Sequence, residues 1–158
     1  VKPWLNNLLS RINRGEVLVI VFIGTLILFK PEKIPYWFII FYAGLFTFFT
    51  DKIVLILKKK ISRQRPLITV IGKVDSNPDM KHSFPSAHSA NSMTLLSILA
   101  FGFTFPPFIL LFSFMAGIGR LLSLHHFFSD VIGGWLIGMV IGLLGISLLN
   151  PLIPLFFH

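Results

Sequence analysis

The 158-residue chain contains no cysteine, which excludes disulfides, thiolate metal sites and a thiol nucleophile. Acidic residues are nearly as scarce: six Asp plus Glu stand against fourteen Lys plus Arg, a formal net charge of +8 at pH 7. Charge of either sign is thin, at 13% of residues, whereas 54% are hydrophobic and the mean hydropathy is +0.83. A soluble domain carries about 25% charged residues, so this composition is that of an integral membrane protein. Between His82 and Gly119 no Lys, Arg, Asp or Glu occurs at all. A basic chain without a soluble basic face points to anionic headgroups or phosphates as partners and away from nucleic acid.

The apolar segments predict an all-α, polytopic bundle in a single domain over 1–158, with about five transmembrane helices. Residues 1–15 place Trp4, Leu5, Leu8, Leu9 and Ile12 largely opposite Lys2, Asn6, Arg11 and Asn13, the pattern of an amphipathic helix lying in the interface. No small-residue cleavage site follows, which disfavours a signal peptide. Val17 to Phe29 is a short first span, given that about 20 residues cross the hydrocarbon core. Lys30-Pro31-Glu32-Lys33-Ile34-Pro35 is a turn, and Tyr36 to Leu57 a second span, where Asp51-Lys52 is expected to pair or snorkel. Pro106-Pro107 divides the uncharged region into spans of about 88–104 and 107–124 joined as a tight hairpin. Phe127 to Leu149 is the fifth, with Gly134, Gly138 and Gly142 spaced for close helix packing and Pro151 and Pro154 expected to end it.

Residues 58–85 form the only long polar connection, and connections beyond about 12–15 residues are commonly functional. Five alternating spans bring this connection, the amino terminus and the junction at 120–130 to one face. Three clusters meet there. Lys58 is followed after six residues by Arg65-Pro66. Pro85-Ser86-Ala87-His88 opens a span, with Ser86 as helix cap and amino-end amides that favour an anion. Arg120 precedes His126 and Asp130. The last two are four apart and share a helix face if the residues after His125 are helical, so that the carboxylate fixes the imidazole tautomer. Cations, a helix amino terminus and histidines around one anion are what phosphoryl transfer requires.

In order, internal spacing and placement at span ends, Lys58 with Arg65-Pro66, Pro85-Ser86-Ala87-His88, and Arg120 with His126 and Asp130 resemble the tripartite motif of the type 2 phosphatidic acid phosphatases. The resemblance covers residues 58–130. Ala87 stands where that family usually has Gly, and Gly119 where it usually has Ser; neither change removes a charged or imidazole group. The resemblance implies that His126 attacks phosphorus to form a phosphohistidine, that Asp130 orients it, and that His88 protonates the leaving alkoxide and then activates water. Lys58, Arg65, Ser86, Ala87 and Arg120 would hold the phosphoryl oxygens. No metal or other cofactor is implied. A metal site at His125, His126 and Asp130 competes weakly, because adjacent histidines do not readily face one ion.

Simpler roles remain for the other polar residues. Lys59, Lys60 and Arg63 read as surface or headgroup charges, and His125 as a packing neighbour of the nucleophile. Lys73, Asp75, Asp79, Lys81 and His82 read as ordinary loop polarity, with headgroup recognition as the sharper alternative. Twelve of the fourteen cations fall on the clustered face, leaving Lys30 and Lys33 opposite; the positive-inside rule makes that face cytoplasmic. The resemblance instead implies a bacterial inner-membrane protein with its site toward the periplasm, and we expect the latter. The implied substrate is a membrane lipid phosphate, with lipid A 1-phosphate placed first and undecaprenyl diphosphate or phosphatidylglycerophosphate as alternatives. Outside that class stand a vanadate-dependent haloperoxidase and a non-enzymatic transporter or scaffold, the latter disfavoured because polar residues gather at one end. Oligomeric state is not legible.

Overall fold

The computed structural model describes residues 15–29, 34–66 and 82–156, side chains of 15–18 and 156 excepted. The expected interfacial helix at 1–15, most of the 30–35 turn and the recognition residues at 73–81 lie outside this set. The described residues are helical, with no strand beyond an isolated bridge between Gln64 and His82. The helices are α1 (Gly15–Leu28), α2 (Tyr36–Ile61), α3 (Ala87–Ser97), α4 (Leu110–Leu122) and α5 (Phe128–Phe156). A π-helical turn, Ile98–Gly102, extends α3, and a 3-10 turn, Pro107–Ile109, leads into α4. Tyr36–Ile61 and Phe128–Leu155 are long and apolar enough to cross a membrane; Val19–Leu28 and Pro107–Leu122 are shorter apolar helices. Phe, Leu, Ile and Val crowd their outer faces, as Phe41, Ile56, Leu111 and Leu136 do. That surface belongs against acyl chains.

The central helix is α3, packed on α5, α2 and α4. It is rich in Ser and Thr, yet Ser89, Ser92, Thr94 and Ser97 are all buried. Small side chains permit close approach, and each hydroxyl has a partner. Ser92 Oγ pairs with Ser113 Oγ of α4 at 2.9 Å. Thr94 Oγ1 pairs with Thr50 Oγ1 of α2 at 2.9 Å and donates to the Gly138 carbonyl of α5 at 3.1 Å. The expected glycine stripe on α5 faces this helix: a methyl at Gly134 would strike the Ser86 carbonyl and one at Gly138 the Ala90 carbonyl. An apolar cluster including Ile39, Tyr42, Leu96, Leu99, Phe103 and Leu149 fills the opposite end. There the Tyr42 hydroxyl donates to the Gly145 carbonyl at 2.6 Å.

Three expectations change. Pro151 and Pro154 do not end α5, which runs through both to Phe156. Proline φ is compatible with a helix, and each ring removes only one donor, a loss tolerated in apolar helices. Lys58 is not in a loop: α2 continues through Lys58, Lys59 and Lys60, cations that suit a helix carboxyl end, and closes at left-handed Ser62, whose N–H donates to the Lys58 carbonyl at 2.9 Å. His126 is not on the helix that carries Asp130, because α5 begins only at Phe128.

Candidate active site

The turn from α4 to α5 sets the position of His126. After Arg120, His125 N–H donates to the Arg120 carbonyl at 3.2 Å and Leu124 N–H to the Leu121 carbonyl at 3.0 Å, the bond pattern that closes a helix around a left-handed residue. That residue is Leu124, at φ 56°, a position usually given to glycine. The chain then reverses through His125 and His126 into α5. Asp130, in the first turn of α5, reaches back so that Oδ2 accepts the Phe127 N–H at 2.8 Å, an acidic counterpart of the capping box. The helix dipole adds to this stabilisation of the carboxylate. Asp130 Oδ2 also faces His126 Nδ1 at 3.6 Å. The two side chains therefore meet as expected from their spacing, but through a turn and a helix cap rather than one continuous helix face.

Backbone bonds tie the three clusters together. Ser86 N–H donates to the Asp130 carbonyl at 2.9 Å, and Ser83 N–H to the Arg63 carbonyl at 2.7 Å. Ser83 Oγ donates to the Gln64 carbonyl at 3.1 Å. Ser86 caps α3, accepting from the Ser89 amide at 3.4 Å and the Ser89 hydroxyl at 2.9 Å. Ala87 is the first residue of that helix and His88 the second.

Lys58, Arg65, Ser86, Arg120, His126 and Asp130 are all buried, and His88 is half-buried. Arg120, His126, Lys58 and Arg65 act electrostatically on His88, and Arg65 and Arg120 act on Lys58. The site residues of the three sequence clusters thus converge. Burial pushes the His126 imidazole down to about 4, the charges of Arg65, Arg120 and Lys58 add to that effect, and Asp130 opposes it. Like charges gathered out of water repel one another. A multiply charged anion relieves that repulsion, so the arrangement is suited to a phosphoryl group.

His125 faces elsewhere: its Nδ1 lies 2.8 Å from Ser123 Oγ and 2.9 Å from the Ser123 carbonyl. Among the described residues no group of three His, Asp or Glu could hold a metal ion. Asp51 does not pair with Lys52 but accepts from Asn91 Nδ2 at 3.2 Å, while the Lys52 ammonium lies 4.9 Å from the Phe48 ring centroid.

Arg63, read from sequence as a surface or headgroup charge, is 39% exposed but also engages the start of α5. Its Nη1 donates to Asp130 Oδ1 at 2.9 Å and to Ser129 Oγ at 2.7 Å, and the guanidinium covers the Phe127 ring at 4.2 Å. Nothing in the local spacing announces this, because the partner lies 67 residues away.

A family model described as the PAP2 superfamily matches residues 35–153. The crystal structure of Aquifex aeolicus LpxE superposes with a TM-score of 0.65 at 25% sequence identity, covering 93% of this chain and 88% of that one. Among curated proteins no sequence matches significantly.

Proposed function

This chain belongs to the PAP2 superfamily, and on that premise we propose that it is a membrane lipid phosphatase acting through a phosphohistidine at His126. The observation that carries the mechanism is the convergence of buried Lys58, Arg65 and Arg120 on His126 and His88, with Asp130 beside the His126 ring. His126 Nδ1 faces the carboxylate, which leaves Nε2 as the attacking nitrogen. As its bond to phosphorus forms, the bond from phosphorus to the ester oxygen breaks, and His88 delivers a proton to the departing alkoxide or phosphate. His88 then removes a proton from water, whose oxygen attacks phosphorus and releases His126. Lys58, Arg65, Arg120, the Ser86 hydroxyl and the Ala87 amide hold the phosphoryl oxygens throughout. Asp130 balances the positive charge that develops on His126.

The substrate we place first is lipid A carrying a 1-phosphate, with the structural likeness to Aquifex aeolicus LpxE as its support. Undecaprenyl diphosphate and phosphatidylglycerophosphate are the alternatives. Each has a phosphate at the headgroup and tails that can stay in the bilayer. The proposed location is the bacterial inner membrane as a multi-pass protein, with the site toward the periplasm. Phosphate release from these lipids by purified protein, wild type against His88→Ala and His126→Ala, tests the assignment. Preference for lipid A is expected, with both variants inactive; equal release by the His126 variant contradicts the mechanism.

A further inference from the structure

We propose that Arg63 is a positioning residue that holds Asp130 in register with His126. The inference rests on the reading of His126 as nucleophile, and its evidence is geometric. Asp130 is fully buried, and a buried carboxylate requires partners for both oxygens. Oδ2 accepts the Phe127 N–H at 2.8 Å and faces His126 Nδ1 at 3.6 Å. Arg63 supplies the donor to Oδ1, at 2.9 Å. Through Ser129 Oγ and the Phe127 ring the same guanidinium grips the residues on either side of the start of α5. Its own backbone is clipped to Ser83, three residues before the cap of α3. One side chain thereby links the segment after α2 to the helix that carries the carboxylate.

Arg63 does not belong with the phosphate-holding cations. The positive charges that bear on His126 are Arg65, Arg120 and Lys58, whereas Arg63 bears on Asp130. Its side chain is 39% exposed on the far side of the carboxylate. It therefore acts on the reaction through Asp130. With Arg63 removed, Oδ1 loses its charged donor, the carboxylate can swing, and the alignment of Nε2 for in-line attack is lost.

Arg63→Gln and Arg63→Lys in the full chain test this with a lipid phosphate substrate. A misplacement of about 1 Å costs about 10²-fold in rate, so Arg63→Gln is expected to lower kcat about 10- to 100-fold while KM moves less than about 2-fold. Arg63→Lys restores most of the loss, because an ammonium still reaches the carboxylate and the ring.

A second readout separates positioning from mere structural support. The charged groups around the pair are Lys58 from α2, Arg63 and Arg65 after it, His88 from α3, Arg120 from α4 and Asp130 itself. With Arg63 removed, Asp130 keeps the Phe127 N–H but loses the positive charge that competes with His126 for it, so the acid limb of kcat/KM moves upward. If Arg63→Gln does not fold, Arg63→Lys must still show both changes in smaller degree.

A rise in KM at unchanged kcat, an unaltered enzyme, or a fall in kcat with an unmoved acid limb overturns the proposal. His126→Ala separates the two levels. Release undiminished in that variant removes the nucleophile assignment, whereas an inactive His126 variant alongside unaffected Arg63 variants removes the role of Arg63 alone.

Discussion

A histidine attacks phosphorus only while its ring is neutral, and burial holds the His126 imidazole near 4 rather than at its ordinary 6.5. The sign follows directly. At neutral pH the ring is unprotonated, and lowering the pH through about 4 converts it to imidazolium. The acid limb of kcat/KM, corrected for substrate ionisation, is therefore expected near pH 4; a limb at the ordinary histidine value contradicts a buried nucleophile. Asp130→Asn tests the other half of the pair. It removes the charge proposed to orient and balance His126, a change on the order of 10⁴-fold in kcat in a comparable carboxylate–histidine pair, and a large fall in kcat is expected here. What the sequence could not reveal at this scale is Arg63. Local spacing orders residues along one segment, but a partner 67 positions away is chosen by tertiary packing. The side chain that reaches Asp130 stood in a run of cations that reads equally well as a membrane-end stop.

At the scale of helices, period and composition were sufficient for existence and direction but not for ends. The glycine stripe of α5 was legible because a four-residue repeat of Gly has few uses besides close packing. Gly138 meets the Ala90 carbonyl, and Gly24 of α1 has nothing within 4 Å of an added Cβ. Gly138→Leu is accordingly expected to destabilise the bundle by about 1–3 kcal/mol or more. Gly24→Ala is expected to be neutral or stabilising by up to about 1 kcal/mol. Thermal unfolding in detergent micelles measures both, and equal effects at the two positions would contradict the packing of α5 on α3. The continuation of α5 past Pro151 was not legible, since proline reads as a stop only where water or another conformation competes for the chain. The start of α5, expected at Phe127 and found at Phe128, was legible to within a residue, but whether His126 joins that helix was not. His126 and Asp130 at a four-residue spacing satisfy a helix face, but the capping contact from Asp130 to the Phe127 amide ends the helix between them.

For the whole molecule, the scarcity of charge identified a membrane protein, and the all-α bundle follows from the absence of water to satisfy an open backbone. The hidden polar helix α3 explains how an uncharged but serine-rich segment fits such a protein: neighbouring helices, not lipid, receive its hydroxyls. Which side of the membrane the site faces is a separate matter, because the count of cations points to the cytoplasm while the proposed function points to the periplasm. The chain lacks cysteine, so a single Gln64→Cys, at an exposed position beside the site, is a clean reporter. Labelling of intact cells by a membrane-impermeant thiol reagent is expected; protection until the cells are permeabilised would put the site in the cytoplasm.

The central claim, that three clusters spread over residues 58–130 form one phosphoryl-transfer site around His126, is tested most directly by trapping the intermediate. Enzyme turning over a radiolabelled lipid phosphate is quenched in alkali, under which phosphohistidine survives, and the labelled peptide is sequenced. The expected result is label on His126, none on His125, and neither label nor phosphate release in His126→Ala. Label retained in that variant, or phosphate released at the wild-type rate, would contradict the account.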